Sequence, residues 1–461
     1  MKSKFLIPLM NIYLWLASKS WGKKLLKKIG PALLRKRILS FMGKSSVWRR
    51  EKTSEFMLLV SNLIIDIFSD PKRPKSVKNA LKRVFKGITT IDKRKKWREK
   101  YGVAPAIWVI DFTNRCNLNC YGCYADSYRK GEDLSFEIID QAITEFKKDF
   151  GMHFIVLSGG EPFLRWEDMA RMAKKHNDVA FMVYTNGTLI SKKVVAGLAE
   201  LGNIAPCISV EGFASETDNR RGKGHFSRIT KLMQSLNEAG VLFGFSATVT
   251  SENAGLLSSD EFIDHYIEQG CKFGWYFTYI PIGRNPVLNL MVSPEQRSHL
   301  ADQVNKWRHM QKPIFVGDFW NDGWLTKGCI AGGRRYGHID GAGIIKPCVF
   351  APIGAASITD VFSGKSKYKS LSDVIVKSPI FRKFREGQEK IKDVTGPCLI
   401  IDHPEILQEI WKDEEALTTK STPQGFFEGP IADKLDSVSK AWINRSHREE
   451  YLKGGPLEKQ S

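Results

Sequence analysis

The sequence predicts an α/β protein: a partial (β/α)6 TIM-like barrel behind a helical, basic N-terminal region. Three observations lead there. From about residue 104, short apolar runs alternate with amphipathic helical stretches through six strand–helix units. Glycine, threonine, asparagine or proline closes each run at the same end. Lysine and arginine crowd the first hundred residues, 27 against six acidic ones, whereas the remaining 361 residues carry 43 against 44. Right-handed βαβ crossovers turn such a pattern into a parallel sheet, and six units favour a curved, partly closed barrel over a closed eight-stranded one. A chain of 461 residues buries a core of that size easily.

Residues 1–103 form the basic region. "FLIPLMNIYLWL" (5–16) is apolar but too short to cross roughly 30 Å of hydrocarbon. In "KSWGKKLLKKIGPALLRKRILSFMGK", Leu25, Leu26, Ile29, Leu33 and Leu34 share a helical face flanked by Lys23, Lys24, Lys27 and Lys28. Trp15 and Trp21 suit headgroup depth. This composition predicts an arm lying on an anionic membrane surface. Three other readings stand beside it. A signal peptide is opposed by lysines placed after the apolar run. A nucleic-acid arm is opposed by its leucine and tryptophan content, and no nucleic-acid partner is expected. An ordinary helical layer on the barrel is the strongest rival, above all for "FMLLVSNLIIDIF" (56–68), which contains Asp66.

The barrel is expected over 104–315. Its strands are "AIWVIDFT" (106–113), "HFIVLSGGEP" (153–162), "VAFMVYTNGTLI" (179–190), "APCISVEG" (205–212), "LFGFSATVTSEN" (242–253) and "KFGWYFTYIPIGR" (272–284). Between them run helices, the first being "SFEIIDQAITEFKKDFG" (135–151), with a Ser start and Ile138, Ile139, Ala142, Ile143 and Phe146 at helical period. Others fall near 191–201, 225–239 and 259–269.

Chemistry gathers at one edge of that sheet. "CNLNCYGC" (116–123) places Cys116, Cys120 and Cys123 after the first strand, three of eight cysteines in the chain. A structural zinc site needs a second ligand pair, and none lies nearby. The spacing suits a thiolate loop around an iron–sulfur cube that leaves one iron without a protein ligand. Gly159, Gly160, Glu161 and Pro162 follow the second strand; Thr185, Asn186 and Gly187 the third. Ser209 and Glu211 end the fourth, Thr250 and Asn253 the fifth, Pro281 and Gly283 the sixth. The C-terminal edge of a parallel sheet is where ligands bind, and Glu161 offers a carboxylate able to grip an ammonium.

With its C-x3-C-x2-C loop and GGEP in this order, the segment 104–315 resembles the radical S-adenosylmethionine (SAM) core. The resemblance implies a [4Fe–4S] cluster whose open iron chelates the methionine moiety of SAM. One electron from the cluster then cleaves SAM to give a 5′-deoxyadenosyl radical that takes a hydrogen atom from substrate. It places Gly159, Gly160 and Glu161 by the methionine amine, Ser209 and Thr250 near ribose or carboxylate, and Ile282 or Gly283 near adenine. "SVEGFASETDNRRG" (209–222) resembles the fourth-strand segment of members that modify peptides and other large substrates. Many members put an aromatic residue before the third cysteine; here Gly122 stands between Tyr121 and Cys123.

Beyond the barrel, Cys329, Gly343 and Cys348 resemble the hairpin of SPASM or twitch auxiliary-cluster domains, with Cys398 as a third ligand. The resemblance assigns residues 316–415 to a small C-terminal auxiliary-cluster region holding a second [4Fe–4S] cluster, and leaves 416–461 as a tail. Its fourth ligand is left open between Asp402, His403 and none. Cys207 and Cys271 read as buried thiols; His153, His176 and His225 read as surface or core residues. The implied enzyme activates a C–H bond of a membrane-associated lipid, with maturation of a ribosomal peptide as the alternative and a non-catalytic iron–sulfur protein as a third class. Flavodoxin or ferredoxin is the expected electron donor. The predicted location is cytoplasmic, with peripheral attachment at the inner membrane face as the arm's contribution.

Overall fold

Apolar runs buried on both faces become parallel strands, and all six expected ones form. They are β1 (Trp108–Thr113), β2 (Phe154–Gly159), β3 (Ala180–Thr185), β4 (Ile204–Val210), β5 (Gly244–Val249) and β6 (Phe273–Thr278). The structure is a computed structural model that describes residues 16, 19, 21–28, 32, 47–88, 91–125, 133–413, 416–419 and 422–443. Each strand from β1 to β6 pairs in parallel with the next. A seventh, β7 (Phe315–Asp318), extends the series past β6; at four residues it is too short for sequence periodicity to mark.

The opposite edge is extended by the C-terminal region. β8 (His338–Ile339) lies parallel to β1, β9 (Ile344–Lys346) folds back on β8, and β11 (Ala356–Ser357) pairs with β9. β10 (Ile353–Gly354) pairs separately with β12 (Leu417–Thr418). The large sheet therefore runs β11-β9-β8-β1-β2-β3-β4-β5-β6-β7 and does not close. It is the partial barrel the alternating pattern predicts. The expected hairpin turn is present: Gly343 has φ +84° and donates its N–H to the Asp340 carbonyl at 2.8 Å. One core cluster runs from Val103 to Leu435, joining barrel and C-terminal region.

Local signals hold where they were strongest. The helix Phe136–Phe150 starts at Ser135, whose hydroxyl accepts from the Ile138 N–H at 3.3 Å, and stops at Gly151 with φ +60°. A short helix missed in the sequence, Ala214–Arg221, lies inside the 209–222 segment.

In the basic region the helix Val47–Ser69 packs on the barrel. Leu59, Leu63, Ile65 and Phe68 are buried, and Phe56 meets Phe315 of β7 edge-on at 5.7 Å. This is the ordinary-layer reading for that run. Leu25 and Leu26, expected to share an apolar face, are separated: Leu26 is buried against Ile65 and Phe68, while Leu25 and Trp21 are exposed. Lys23 and Lys27 both reach Asp66, at 3.0 and 2.9 Å. Burial opposes the Asp66 charge, but the two lysines hold its carboxyl below the usual range. Phe5, Leu6, Leu14, Trp15, Ile29, Leu33 and Leu34 lie outside the described residues. Among the described residues, no helix is long and apolar enough to cross a membrane.

Candidate functional site

The loops that leave β1 and β2 lie flush against each other because two glycines allow it. A Cβ on Gly160 would fall on the Arg115 carbonyl, and one on Gly159, with φ +112°, on the Thr113 carbonyl. Instead Gly160 N–H donates to Thr113 O at 2.9 Å, and Glu161 N–H to Arg115 O at 2.8 Å. The GGE stretch thus sets where the cysteine loop begins. Glu161 is fully buried. Its carboxylate accepts from Phe163 N–H (3.1 Å), Thr185 Oγ1 (2.8 Å) and Asn186 N–H (2.8 Å). Burial pushes its pKa up to about 7, against those donors. The carboxylate clamps β2 to the β3 turn, so what this stretch leaves for a ligand is mainly backbone.

The other strand-end loops grip the cysteine loop too. From the β3 turn, Asn186 Nδ2 donates to Asn117 Oδ1 at 2.9 Å, and Asn117 Nδ2 reaches Thr188 Oγ1 at 2.8 Å. After β4, Arg220 donates to the carbonyls of Tyr121 (3.0 Å) and Gly122 (3.2 Å). Arg221 stands 3.9 Å from Cys120 Sγ, and both arginines pair with buried Glu211, at 2.7 and 2.5 Å. Burial works against the Arg221 charge, but Glu211 and the thiols keep it firmly protonated. After β6, Gly283 (φ +77°) passes so close to the Cys123 and Tyr124 carbonyls that a Cβ would collide. Arg284 then donates to Cys120 O at 2.7 Å and to Asn119 Oδ1. Thr250 is engaged with Asn253, whose amide also donates to the Glu211 carbonyl. Ser209 sits half-buried near the end of β4. The Tyr279 ring packs where a Gly122 side chain would be, 3.1 Å from that Cβ position.

Burial raises the Cys116 and Cys123 thiols, and the charges of neighbouring thiols add to it. All three cysteines are free. Burial and mutual repulsion make this a poor place for three lone thiolates; the Arg220 and Arg221 charges offset part of that, and thiolate ligation to the irons of a cluster would offset the rest. Among the described residues, no three Cys, His, Asp or Glu groups converge on a single ion. Sequence reasoning missed Arg220, Arg221 and Arg284. The only signal was a pair of arginines shortly after a strand-end glutamate.

Residues 110–255 match the family model of the radical SAM superfamily. That segment carries a radical SAM domain. Radical SAM enzymes use a [4Fe–4S] cluster and SAM, and the donor set of Cys116, Cys120 and Cys123 fits that cluster. The AdoMet-dependent heme synthase of Methanosarcina barkeri is 26% identical over 337 residues, 66% of this chain and 90% of that protein. The sporulation killing factor maturation protein SkfB of Bacillus subtilis is 27% identical over 253 residues, 48% and 57% of the two chains. The structure of Streptococcus suis SuiB bound to S-adenosylmethionine shares the fold, with TM-score 0.51 at 17% identity over 73% of this chain and 84% of that one.

In this radical SAM enzyme a second thiol group gathers beside the hairpin. The Cys329 thiol is pushed up to about 12, first by burial and then by the charge of Cys348; burial raises Cys398 too, with Asp402 and Cys329 adding to it. The Tyr336 hydroxyl lies 3.6 Å from Cys348 Sγ. Asp402, one candidate for a fourth ligand, is committed elsewhere: it pairs with Arg297 at 2.5 Å and accepts the Cys398 N–H at 3.0 Å. His403 pairs with Glu405 at 3.2 Å on the surface side. Cys207 and Cys271 are fully buried, as are His176 and His225.

Proposed function

We propose that this radical SAM enzyme activates a C–H bond of an amide-bearing, peptide-like substrate, with a second [4Fe–4S] cluster at Cys329, Cys348 and Cys398. The observation that carries the catalytic part is the cysteine loop, held over the barrel mouth by contacts from the loops after β2, β3, β4 and β6. When bound, the cluster and SAM supply a 5′-deoxyadenosyl radical that takes hydrogen from carbon. The protein's share is placement. Cys116, Cys120 and Cys123 hold the cluster, Arg221 supports its charge, and Gly159 and Gly160 offer backbone to the SAM amine. Glu161 acts by holding the β3 turn, and Ser209, Thr250 and Gly283 line the remaining strand ends where ribose and adenine would lie. A flavodoxin- or ferredoxin-class donor supplies the electron, and the free cysteines support a cytoplasmic setting.

The name of the Methanosarcina relative points to a tetrapyrrole, a ligand of several carboxylates. Among the described residues the cations at the barrel mouth are already committed: Arg115 to Asp133, Arg220 and Arg221 to Glu211, Arg284 to the cysteine loop. A neutral substrate suits this lining better, and SkfB is named for the maturation of a killing factor and not of a tetrapyrrole. A lipid substrate has the exposed Trp21 and Leu25 in its favour, but Lys23 and Lys27 are spent on Asp66. The test is 5′-deoxyadenosine release by anaerobically reconstituted, reduced enzyme supplied with SAM and cell extract. Stimulation abolished by protease treatment of the extract is expected. Stimulation that survives protease and follows the lipid fraction would overturn the peptide reading, and no release at all would overturn the enzymatic one.

A further inference from the structure

The hairpin β8–β9 places one hydroxyl against one thiol. Its register pairs His338 with Lys346 and Ile339 with Ile345. Continued by two residues, the same antiparallel register sets Tyr336 opposite Cys348, on one face and at neighbour distance. Tyr336 Oη lies 3.6 Å from Cys348 Sγ, within reach of the larger sulfur atom, and accepts the Val349 N–H at 2.6 Å. Both side chains are buried, and the tyrosine ring stands edge-on to Phe319 with centroids 6.1 Å apart. The other two thiols of this group take their donors from backbone: Cys398 from Ile400 N–H at 3.4 Å, and Cys329 from Ala331 N–H.

A phenol has one hydrogen to give. The Val349 N–H already occupies the oxygen as acceptor, so that hydrogen is left for the sulfur. While Cys348 is a thiol, either atom of the pair can donate. Iron ligation requires the thiolate, which only accepts, and the direction is then fixed from Tyr336 to Cys348. A hydrogen bond to a ligand sulfur draws negative charge away from an iron–sulfur core. The reduced core carries one more negative charge than the oxidised one, so the bond stabilises it more.

We propose that Tyr336 is a positioning residue for the second cluster and acts through Cys348 to raise its reduction potential. With this hydrogen bond in place, the cluster accepts an electron from a flavodoxin- or ferredoxin-class donor more readily than its three thiolates alone would allow. The proposal rests on the reading of Cys329, Cys348 and Cys398 as cluster ligands.

The experiment is a redox titration of the full chain with its clusters reconstituted, followed by electron paramagnetic resonance. Added SAM perturbs the signal of the first cluster. The second cluster is the signal that SAM leaves unchanged and that Cys398→Ala removes. Tyr336→Phe keeps the ring against Phe319 and takes away only the hydroxyl. It is expected to retain wild-type iron, shift the second midpoint to lower potential and leave the first midpoint in place. An unchanged second midpoint overturns the proposal. A rise also overturns it, because water admitted by loosened packing would solvate the extra charge of the reduced core and raise the midpoint. Should Tyr336→Phe not retain the second cluster, wild-type chain made with 3-fluorotyrosine supplies the readout. Its hydroxyl is the stronger donor, so the second midpoint is expected to rise, and no rise overturns the proposal. Failure of the underlying reading looks different: Cys398→Ala would keep all of its iron, and the wild type would show no signal that SAM leaves unchanged.

Discussion

Glu161 shows how a residue that suggests ligand binding spends its chemistry on the fold. Three donors converge on its carboxylate. In Glu161→Gln an amide NH2 must face at least one of them, which costs ~1–3 kcal/mol for a buried mismatch. We expect a lower thermal midpoint together with weaker SAM binding, because the β3 turn loosens; calorimetry and SAM titration on the same sample check both. His225 makes a pH prediction at the same scale. Burial, with Arg221 and Arg228 nearby, lowers its pKa to about 4 from 6.5. The unfolded chain therefore takes up a proton in that window that the folded chain refuses, so stability present above pH 6.5 drains away as the pH falls toward about 4. His225→Gln is expected to flatten that slope in melts recorded from neutral to mildly acid pH. An unchanged slope would move the effect to other groups.

At the scale of elements, the candidate site is a set of strand-end loops fastened to one thiol loop. Gly283 is the tightest fastening, since a Cβ there meets the carbonyls of Cys123 and Tyr124 and φ is +77°. Gly283→Ala should strain the latch from β6 and lower cluster retention on dilution, read as loss of visible absorbance, while far-UV dichroism stays near wild type. The second thiol group lies beside the hairpin β8–β9, with Cys329 before it, Cys348 just after it and Cys398 from a later turn. Two cubes predict about eight irons per chain, and a Cys116→Ala/Cys120→Ala/Cys123→Ala variant should lose about four of them. Cys398→Ala should lose iron only from the other site and leave the SAM-perturbed spectrum of the first cluster in place. An iron content unchanged in Cys398→Ala would remove Cys398 from the ligand set.

For the whole molecule, the basic N-terminal region divides into parts with different duties. The helix Val47–Ser69 buries Leu59, Leu63, Ile65 and Phe68, worth ~1.5–3 kcal/mol each when fully removed from water. Arg73 is buried and donates to the carbonyls of Gly240 and Val241, at 2.9 and 2.6 Å. Deleting residues 1–100 should therefore unfold or strongly destabilise the barrel. Deleting 1–46 is expected to cost less; among the described residues it removes the packing of Leu26 on Ile65 and Phe68 and the pairs of Lys23 and Lys27 with Asp66. Thermal melts of the two truncations separate the cases, and comparable midpoints would refute the division. Flotation of the full chain and the shorter deletion with anionic vesicles then shows whether Trp21, Leu25 and the residues before them hold a membrane.

What the sequence by itself determined was whatever depends on near neighbours in the chain. Strand–helix alternation, the Ser135 start, the Gly343 turn and the three-cysteine spacing are local patterns, and each reappears in the structure. It could not show β7, whose four residues are too few for a periodicity, nor that β8 would join β1 and continue the barrel sheet into the C-terminal region. It could not show that Lys23 and Lys27 face Asp66, which turns two residues of a supposed membrane arm into an internal contact. Tertiary structure alone decided the partners of the cysteine loop: Arg220 and Arg221 lie about a hundred positions away, and Arg284 more than 160. It alone brought His338 of β8 to Asp111 of β1, 3.1 Å apart. The physical reason is the same throughout. A backbone turn is chosen by the residues that form it, whereas the charge or hydrogen bond a buried group finds is chosen by which strands become neighbours in the sheet.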